Sequence, residues 1–144
     1  MTTIRHTARE RALQALYQVD VAAVEPGAAL EAALGAADEK RDDEKLDEAG
    51  QAFARRLVEG VVAHLLELDA LVQKHSLHWR VERMAKIDRN VLRLAAYELL
   101  YEADTPGRVV LNEAVELGKS FGSEESSAFI NAILDKVAQD LSRK

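Results

Sequence analysis

The sequence has no cysteine, only two prolines and few aromatic residues. Without cysteine the chain has no disulfide, no thiolate nucleophile and no cysteine-based zinc motif, so a reducing, cytoplasmic setting is expected. Helix-breaking residues are scarce while alanine and leucine are abundant, and this composition favours helices. No apolar run approaches the roughly 18 residues of a membrane span, and the amino terminus lacks the apolar core of a signal peptide. We therefore expect no membrane anchor and no export.

The sequence also lacks the common motifs of enzymes. Its seven glycines are scattered, and none forms the phosphate-binding GxxxxGK or GxGxxG pattern. His75, His78 and Glu82 have a spacing that one helical face can bring together around a metal, but hydrogen-bonded or solvated histidines are the simpler interpretation. Carboxylates are plentiful, yet no nucleophile or cofactor motif stands beside them. We therefore expect no enzymatic activity, no catalytic residue, no metal and no cofactor.

The net charge of −6 is concentrated in one segment of the chain. Residues 21–50 carry nine acidic and three basic side chains, whereas residues 1–20 carry three arginines and two acidic side chains. Charges farther apart than the Debye length of roughly 8 Å are largely screened at physiological salt. The overall acidity therefore does not exclude a polyanionic partner. The dense charged run at 38–48 is interpreted as a solvated helix end or loop, with a specific interaction tail as the alternative.

At 144 residues the chain is long enough for one domain with a single core. Apolar residues recur at three- and four-residue steps through most of it, as in amphipathic helices. Helices are expected near 4–21, 49–74, within 75–84, and near 88–101, 106–121 and 123–141, with a short apolar segment at 28–34. The prediction is an all-α, compact bundle of six to seven helices in one domain, 1–144, with an acidic segment at about 35–48.

Several residues signal where the helices begin and end. Thr7 opens a capping-box pattern for the first helix, with a start a few residues earlier as the alternative. Asp88 is placed to cap or open its helix, and Pro106 suits a first helical position because it has no amide hydrogen to leave unpaired. Gly122 is expected to end a helix in the left-handed conformation, and Ser123 to cap the last helix.

The arginines of the first helix fall on different faces. At about 100° per residue, Arg5 and Arg9 continue the apolar stripe, whereas Arg11 lies on the opposite arc and is predicted to be ordinary solvated surface. Guanidinium groups beside packed side chains can bond phosphate in bidentate fashion or stack on bases. The alternative is that both arginines snorkel or form salt bridges.

An aromatic residue on the last helix also lies beside the apolar face of its helix. Phe129 lies at the margin of the inward arc, with Glu125 one turn earlier on the outer side. An aromatic ring at such a margin can stack an unpaired base, an interaction of roughly 1–3 kcal/mol per base. Spacing alone favours core packing for this ring.

Three separated blocks resemble a known family. They are ARERALQALYQVD (8–20), IDRNVLRLAAYELLY (87–101) and VVLNEAVELGKSFGSEESSAFINAILDKVA (109–138). In this order and spacing they strongly resemble the NusB family of bacterial transcription antitermination factors. The resemblance covers nearly the whole chain except the acidic segment around 22–48, where the family is variable.

The resemblance implies a non-enzymatic, all-helical protein that binds single-stranded boxA RNA jointly with NusE, a small-subunit ribosomal protein. It further implies membership of the transcription elongation complex with RNA polymerase, which reads through ribosomal RNA operons. Family members occur as monomers and as dimers, so a homodimer is an open alternative, and a dimer that covered the arginine surface would be autoinhibited. No membrane partner is implied.

The resemblance also assigns residues by position. Arg5 and Arg9 match the arginine-rich start that contacts RNA, and His6 stands within that RNA-binding stretch, where many members have a longer arginine run. Phe129 matches an aromatic that meets RNA, and Glu125 matches a neighbouring acidic position of the same surface. The positions that face the ribosomal protein are matched by Tyr17 and Asp88.

Two other functions remain as alternatives. The first is a helical module that only dimerises or docks a protein partner through the stripe around Arg5 and Arg9. The second is a fragment of a ribosomal RNA cytosine methyltransferase, since a similar helical domain precedes the catalytic part of some of those enzymes. The sequence has neither a cofactor-binding domain nor a cysteine, so no methyl transfer is expected.

Overall fold

The computed structural model describes residues 4–35 and 46–143. All regular secondary structure in these two ranges is helical. The helices are α1 (Ile4–Ala22), α2 (Pro26–Gly35), α3 (Glu48–Ala63), α4 (Leu65–Lys74), α5 (Lys86–Tyr101), α6 (Gly107–Phe121) and α7 (Ser126–Asp140), with a 3₁₀ turn at Val81–Arg83. The predicted all-α class is therefore confirmed. Most of the acidic run, at 38–45, lies outside the described residues.

The chain divides into two compact units, Met1–Val62 and Ala63–Lys144, and each is described by itself. The single domain over 1–144 stays a prediction. None of the helices in the described ranges combines the length and the apolarity that a membrane crossing requires.

In the first unit, α1 packs against α2. The stripe predicted for α1 is buried, and apolar residues of α2 and α3 are buried with it: Ala8, Ala12, Ala15, Leu16, Ala29, Leu30, Phe53, Leu57 and Val61. Burying a leucine, valine or phenylalanine side chain contributes roughly 1.5–3 kcal/mol. α1 ends where Ala23 adopts a positive φ of 55°, which breaks the right-handed helix.

In the second unit, α5 is the central helix and packs against α4, α6 and α7. It is buried almost all round, so even its charged residues need partners inside the unit. Arg93 meets this need with a bidentate ion pair, in which Nε lies 2.7 Å from Asp69 Oδ1 and Nη2 lies 2.8 Å from Oδ2. The paired hydrogen bonds make this one of the strong ion-pair geometries.

The end of α7 is tied to the end of α5 by one side chain. Ser142 has a φ of 55°, and the Arg143 amide donates to the carbonyl of Ala138 at 2.8 Å, which is a Schellman ending. The Arg143 guanidinium then donates to the carbonyls of Leu99, Glu102 and Thr105 at 2.7–3.1 Å. These carbonyls lie at or beyond the last turn of α5, where backbone acceptors have no intrahelical donor.

The predicted long helix at 49–74 is two helices instead. His64 interrupts it with φ −115° and ψ 23°, and its ring stacks on Tyr101 at 4.4 Å between centroids. The apolar periodicity continues across this one-residue break, which is why the pattern did not reveal it. The Tyr101 hydroxyl donates to Glu67, and this hydrogen bond raises the pKa of Tyr101.

The predicted helix ends also need correction. α1 already runs from Ile4, so Thr7 is a buried residue inside it and not a cap. Gly122 ends α6 with a φ of −99°, in extended and not left-handed backbone. Pro106 immediately precedes the helix that it was expected to begin. Ser123 does not cap α7, which begins at Ser126 with no side-chain cap hydrogen bond.

Candidate nucleic-acid interface

Three guanidinium groups surround one aromatic ring in the first unit. The guanidinium carbons of Arg5, Arg56 and Arg9 lie 4.3, 5.1 and 5.4 Å from the ring centroid of Phe53. A cation this close to a ring face is attracted by the ring quadrupole, by about 0.5–1 kcal/mol at exposed sites. We call Arg5, Arg9, Arg56 and Phe53 the guanidinium cluster. Three guanidinium groups from two helices are thus brought together on a single ring.

The members of the guanidinium cluster differ in exposure. Arg5 and Arg56 are exposed, whereas Arg9 is only 3% exposed. The prediction that Arg5 and Arg9 follow the apolar stripe agrees with their contact with a buried ring. His6, the third residue predicted in this stretch, is half-buried, and its Nε2 lies 3.5 Å from a carboxylate oxygen of Glu10.

Sequence reasoning missed two members of the cluster. Neither Phe53 nor Arg56 was identified as a candidate site residue from the sequence. The available signal was their spacing, since residues three apart lie on the same face of a helix and both belong to α3. This face of α3 contributes to the site only because it contacts the start of α1. Such a tertiary contact cannot be read from the spacing of residues in the sequence.

Arg11 contradicts its prediction as solvated surface. It is 4% exposed, and its Nη1 donates to Gln14 Oε1 at a long 3.4 Å. Its buried Nε has no hydrogen-bond partner among the described residues. The helical wheel of α1 alone could not show that the polar side of this helix is covered.

Glu125 and Phe129 lie in the second unit, at the start of α7. Glu125 is the exposed residue before the helix, and Phe129 is half-buried one turn further on. Phe129 lines a cleft of about 260 Å³ between α7 and the segment that follows α4. We call this the Trp79 cleft, and its lining residues are His75, Ser76, Leu77, His78, Trp79, Phe129, Ala132, Ile133 and Lys136.

The two residues predicted to face a protein partner have different surroundings. Tyr17 is half-buried on α1, in the first unit. Asp88 is buried in the first turn of α5, in the second unit, and its Oδ1 accepts a 2.6 Å hydrogen bond from the Ser126 hydroxyl. Asp88 therefore links the start of α5 to the start of α7 and does not cap its own helix with its side chain.

Two of the three residues considered for a metal site, His75 and Glu82, have other contacts. His75 Nε2 lies 2.9 Å from Asp140 Oδ2, and Lys74 Nζ lies 3.0 Å from the same oxygen. These two contacts, that of His75 first, lower the pKa of Asp140. Glu82 accepts from Arg80, and its pKa is lowered, first by a backbone hydrogen bond and then by that contact. Within residues 4–35 and 46–143, no three histidine or carboxylate side chains are grouped so as to hold a metal ion.

The sequence and the fold are both similar to those of known proteins. The transcription antitermination protein NusB of Myxococcus xanthus is 55% identical over 139 residues, which cover 96% of this chain and 97% of that protein. The Bacillus subtilis protein of the same name is 43% identical over 137 residues, covering 95% of this chain and 96% of that protein.

Solved structures show the same similarity. Thermotoga maritima NusB has a TM-score of 0.84 at 35% identity, over 97% of this chain and 94% of that chain. A structure of the antitermination factors NusB and NusE with double-stranded RNA contains a chain that matches with a TM-score of 0.82 at 26% identity, over 97% of this chain and 99% of that chain. Residues 6–139 match the model that describes the NusB family. The chain therefore belongs to the NusB family, whose members are transcription antitermination proteins and not enzymes.

Proposed function

We propose that this protein is a cytoplasmic antitermination factor that binds single-stranded, boxA-type RNA together with NusE. In this role it joins the elongation complex of RNA polymerase and supports transcription of ribosomal RNA operons. Its RNA-binding residues are Arg5, His6, Arg9, Glu125 and Phe129. Tyr17 and Asp88 take part in binding the ribosomal protein.

The observation that carries the proposal is the guanidinium cluster. The ring of Phe53 holds Arg5 and Arg56 in place while both remain exposed, so they can bond a phosphate with little further loss of side-chain freedom. Arg9 is buried beside the same ring, with its guanidinium carbon 5.4 Å from the ring centroid. An RNA phosphate placed here would be attracted by the guanidinium groups of the cluster.

The related complex supports RNA and NusE as partners, because it contains NusB, NusE and RNA. The RNA in that complex is double-stranded. For this chain we propose the single strand, since unpaired bases can stack on an aromatic ring such as Phe129. A homodimer that covered the guanidinium cluster would hold the protein in an inactive form. RNA would then shift the equilibrium toward the monomer, which light scattering can follow.

The test is a filter-binding titration with boxA-type RNA, as a single strand and as a duplex, with and without NusE. We expect tight binding of the single strand, strengthened by NusE and weakened in the Arg5→Ala, Arg9→Ala double variant. The logarithm of the affinity should fall linearly with the logarithm of salt concentration, with a slope of about −0.7 per phosphate contacted.

Adjacent arginines on α3 provide a matched control. Arg56 lies over Phe53, whereas Arg55 is exposed and pairs with Glu31 at 3.2 Å. Arg56→Gln should weaken RNA binding and make the salt slope shallower, while Arg55→Gln should leave both unchanged. Equal binding by the wild type and the double variant would remove this helix from the RNA site. If the protein bound NusE but bound no RNA at any salt concentration, it would instead be a protein-docking module.

A further inference from the structure

The Trp79 cleft combines an exposed aromatic ring with an exposed aliphatic side chain. Trp79 is 56% exposed and Leu77 is 78% exposed, and both line the cleft opposite Phe129 on α7. Large apolar side chains grouped at a surface depression commonly mark a binding site. Trp79 is the only tryptophan of the chain. Neither Trp79 nor Leu77 was predicted as a functional residue from the sequence.

The exposed Trp79 lies in a segment whose backbone is fixed by hydrogen bonds. The Trp79 carbonyl accepts hydrogen bonds from the Ser76 hydroxyl at 2.7 Å and from Gln73 Nε2 at 3.1 Å. Gln73 Oε1 also accepts from the Val81 amide at 2.9 Å, so the chain is held on both sides of the tryptophan. Side chains whose backbone is held in this way lose less conformational freedom on binding a ligand.

The opposite wall of the cleft is one face of α7. Phe129, Ala132, Ile133 and Lys136 recur at three- and four-residue steps along it. Lys136 is exposed, so the wall presents an aromatic ring, an apolar floor and a cation in order. None of the described residues that line the cleft is acidic, and Asp140 at the end of α7 is bound by Lys74 and His75. The cleft therefore favours an anionic ligand that also has a flat, stackable part.

We propose that the Trp79 cleft receives one unpaired base of the RNA strand. The base stacks on the indole of Trp79 and contacts Phe129, while Lys136 bonds the adjoining phosphate. Stacking on aromatic rings beside a positive charge is how proteins hold single strands without reading their sequence. The volume of about 260 Å³ suits a single nucleoside. This inference rests on the proposed function and adds Trp79 and Lys136 to its site.

The single tryptophan makes a direct test available, because its fluorescence reports on the cleft alone. Wild-type protein is titrated with single-stranded boxA-type RNA, and its emission is followed beside a filter-binding titration of the same mixture. We expect quenching with the same midpoint as RNA binding. Trp79→Ala should weaken RNA affinity by roughly 5- to 150-fold, and Trp79→Phe should retain most of it.

Control variants distinguish the loss of base stacking from the loss of any exposed apolar side chain. Leu66 is 87% exposed on α4 and does not line the cleft, so Leu66→Ala should bind RNA as the wild type does. Phe129→Leu keeps an apolar side chain at a half-buried position and should lose affinity while its circular dichroism stays helical. Lys136→Gln should weaken binding and reduce the steepness of the salt dependence.

The outcomes distinguish this inference from the proposed function. If RNA binds tightly but the emission of Trp79 does not change and Trp79→Ala binds equally, the cleft is not a base site and the proposed function stands. If no variant and no wild-type protein binds RNA, both fail. If NusE alone quenches Trp79 and RNA adds nothing, the cleft belongs to the protein partner, and the base site is wrong.

Discussion

The Asp88 carboxylate, buried at the start of α5, accepts a 2.6 Å hydrogen bond from the hydroxyl of Ser126, the first residue of α7. The same Ser126 oxygen accepts a 2.9 Å hydrogen bond from the amide of Ser123. One hydroxyl thus joins the turn before α7 to the first turn of α5. Because Phe129 follows Ser126 by less than one helical turn, this contact also fixes where the aromatic ring stands.

Ser126→Ala should therefore destabilise the protein by about 1–3 kcal/mol, since it leaves a buried carboxylate and an amide each without a partner. Urea unfolding measures the change, and the midpoint should fall with an unchanged slope. Ser120→Ala, at an exposed position of α6, is the control and should change the midpoint little. An unaltered midpoint in Ser126→Ala would mean that the buried hydrogen bond contributes nothing.

Gly107→Ala should be strongly destabilising. A Cβ at this position would lie 1.6 Å from the carbonyl oxygen of Arg143, a backbone atom that cannot move without breaking the ending of α7. We expect a loss of about 2 kcal/mol or more, measured by thermal or urea unfolding. Gly35→Ala is the matched control, because no atom of residues 4–35 and 46–143 is found within 4 Å of its added Cβ. That change at the end of α2 should be neutral or stabilising by about 0.5–1 kcal/mol.

Arg11→Met should stabilise the protein, in contrast to most core substitutions. The Arg11 guanidinium is buried with a single long hydrogen bond to Gln14, so its desolvation is poorly compensated. An apolar side chain of similar length should raise the free energy of unfolding by about 1 kcal/mol. The exposed Arg108 supplies the control, and Arg108→Met should have little effect. A large loss of stability in Arg11→Met would show that the charge is compensated in the folded protein.

The contacts of Asp140 should make stability depend on pH in the acid range. Its pKa in the folded protein is lowered below the ordinary value of 3.8, chiefly by His75 and then by Lys74. A depressed carboxyl pKa stabilises the fold fully above the unfolded value, and this contribution is lost as the pH falls through the folded value. The urea midpoint of the wild type should therefore exceed that of Asp140→Asn at neutral pH, and the difference should narrow below about pH 4. A difference that stayed constant into strong acid would contradict this assignment.

The helices themselves were largely predictable from the sequence, because their apolar faces repeat at the helical period. α5, α6 and α7 all occur close to where the periodicity placed them. The break at His64, the extended backbone of Gly122 and the start of α7 at Ser126 were not predictable in the same way. They depend on contacts such as the stacking on Tyr101, which joins residues far apart in the chain.

The candidate site, too, was only partly predictable from the sequence. The positions of Arg5 and Arg9 on an apolar stripe follow from their spacing, and the family resemblance supplied RNA as their proposed ligand. The ring beneath them, the third guanidinium of Arg56 and the cleft of Trp79 required the folded chain. The family resemblance, and not spacing, identified Phe129 as an RNA-binding residue, and the residues that face it across the cleft belong to the segment that follows α4.

By itself the sequence determined the helical class, the absence of thiol chemistry and the family, because composition, periodicity and residue identity are local properties. Only the tertiary structure decided which charged side chains are buried and which are exposed to solvent. Arg11 is buried and Arg5 is exposed on the same helix, since covering a face requires the other elements that pack on it. Burial is a property of the assembled chain, and it distinguishes Arg11 from Arg5, although both residues belong to one helix.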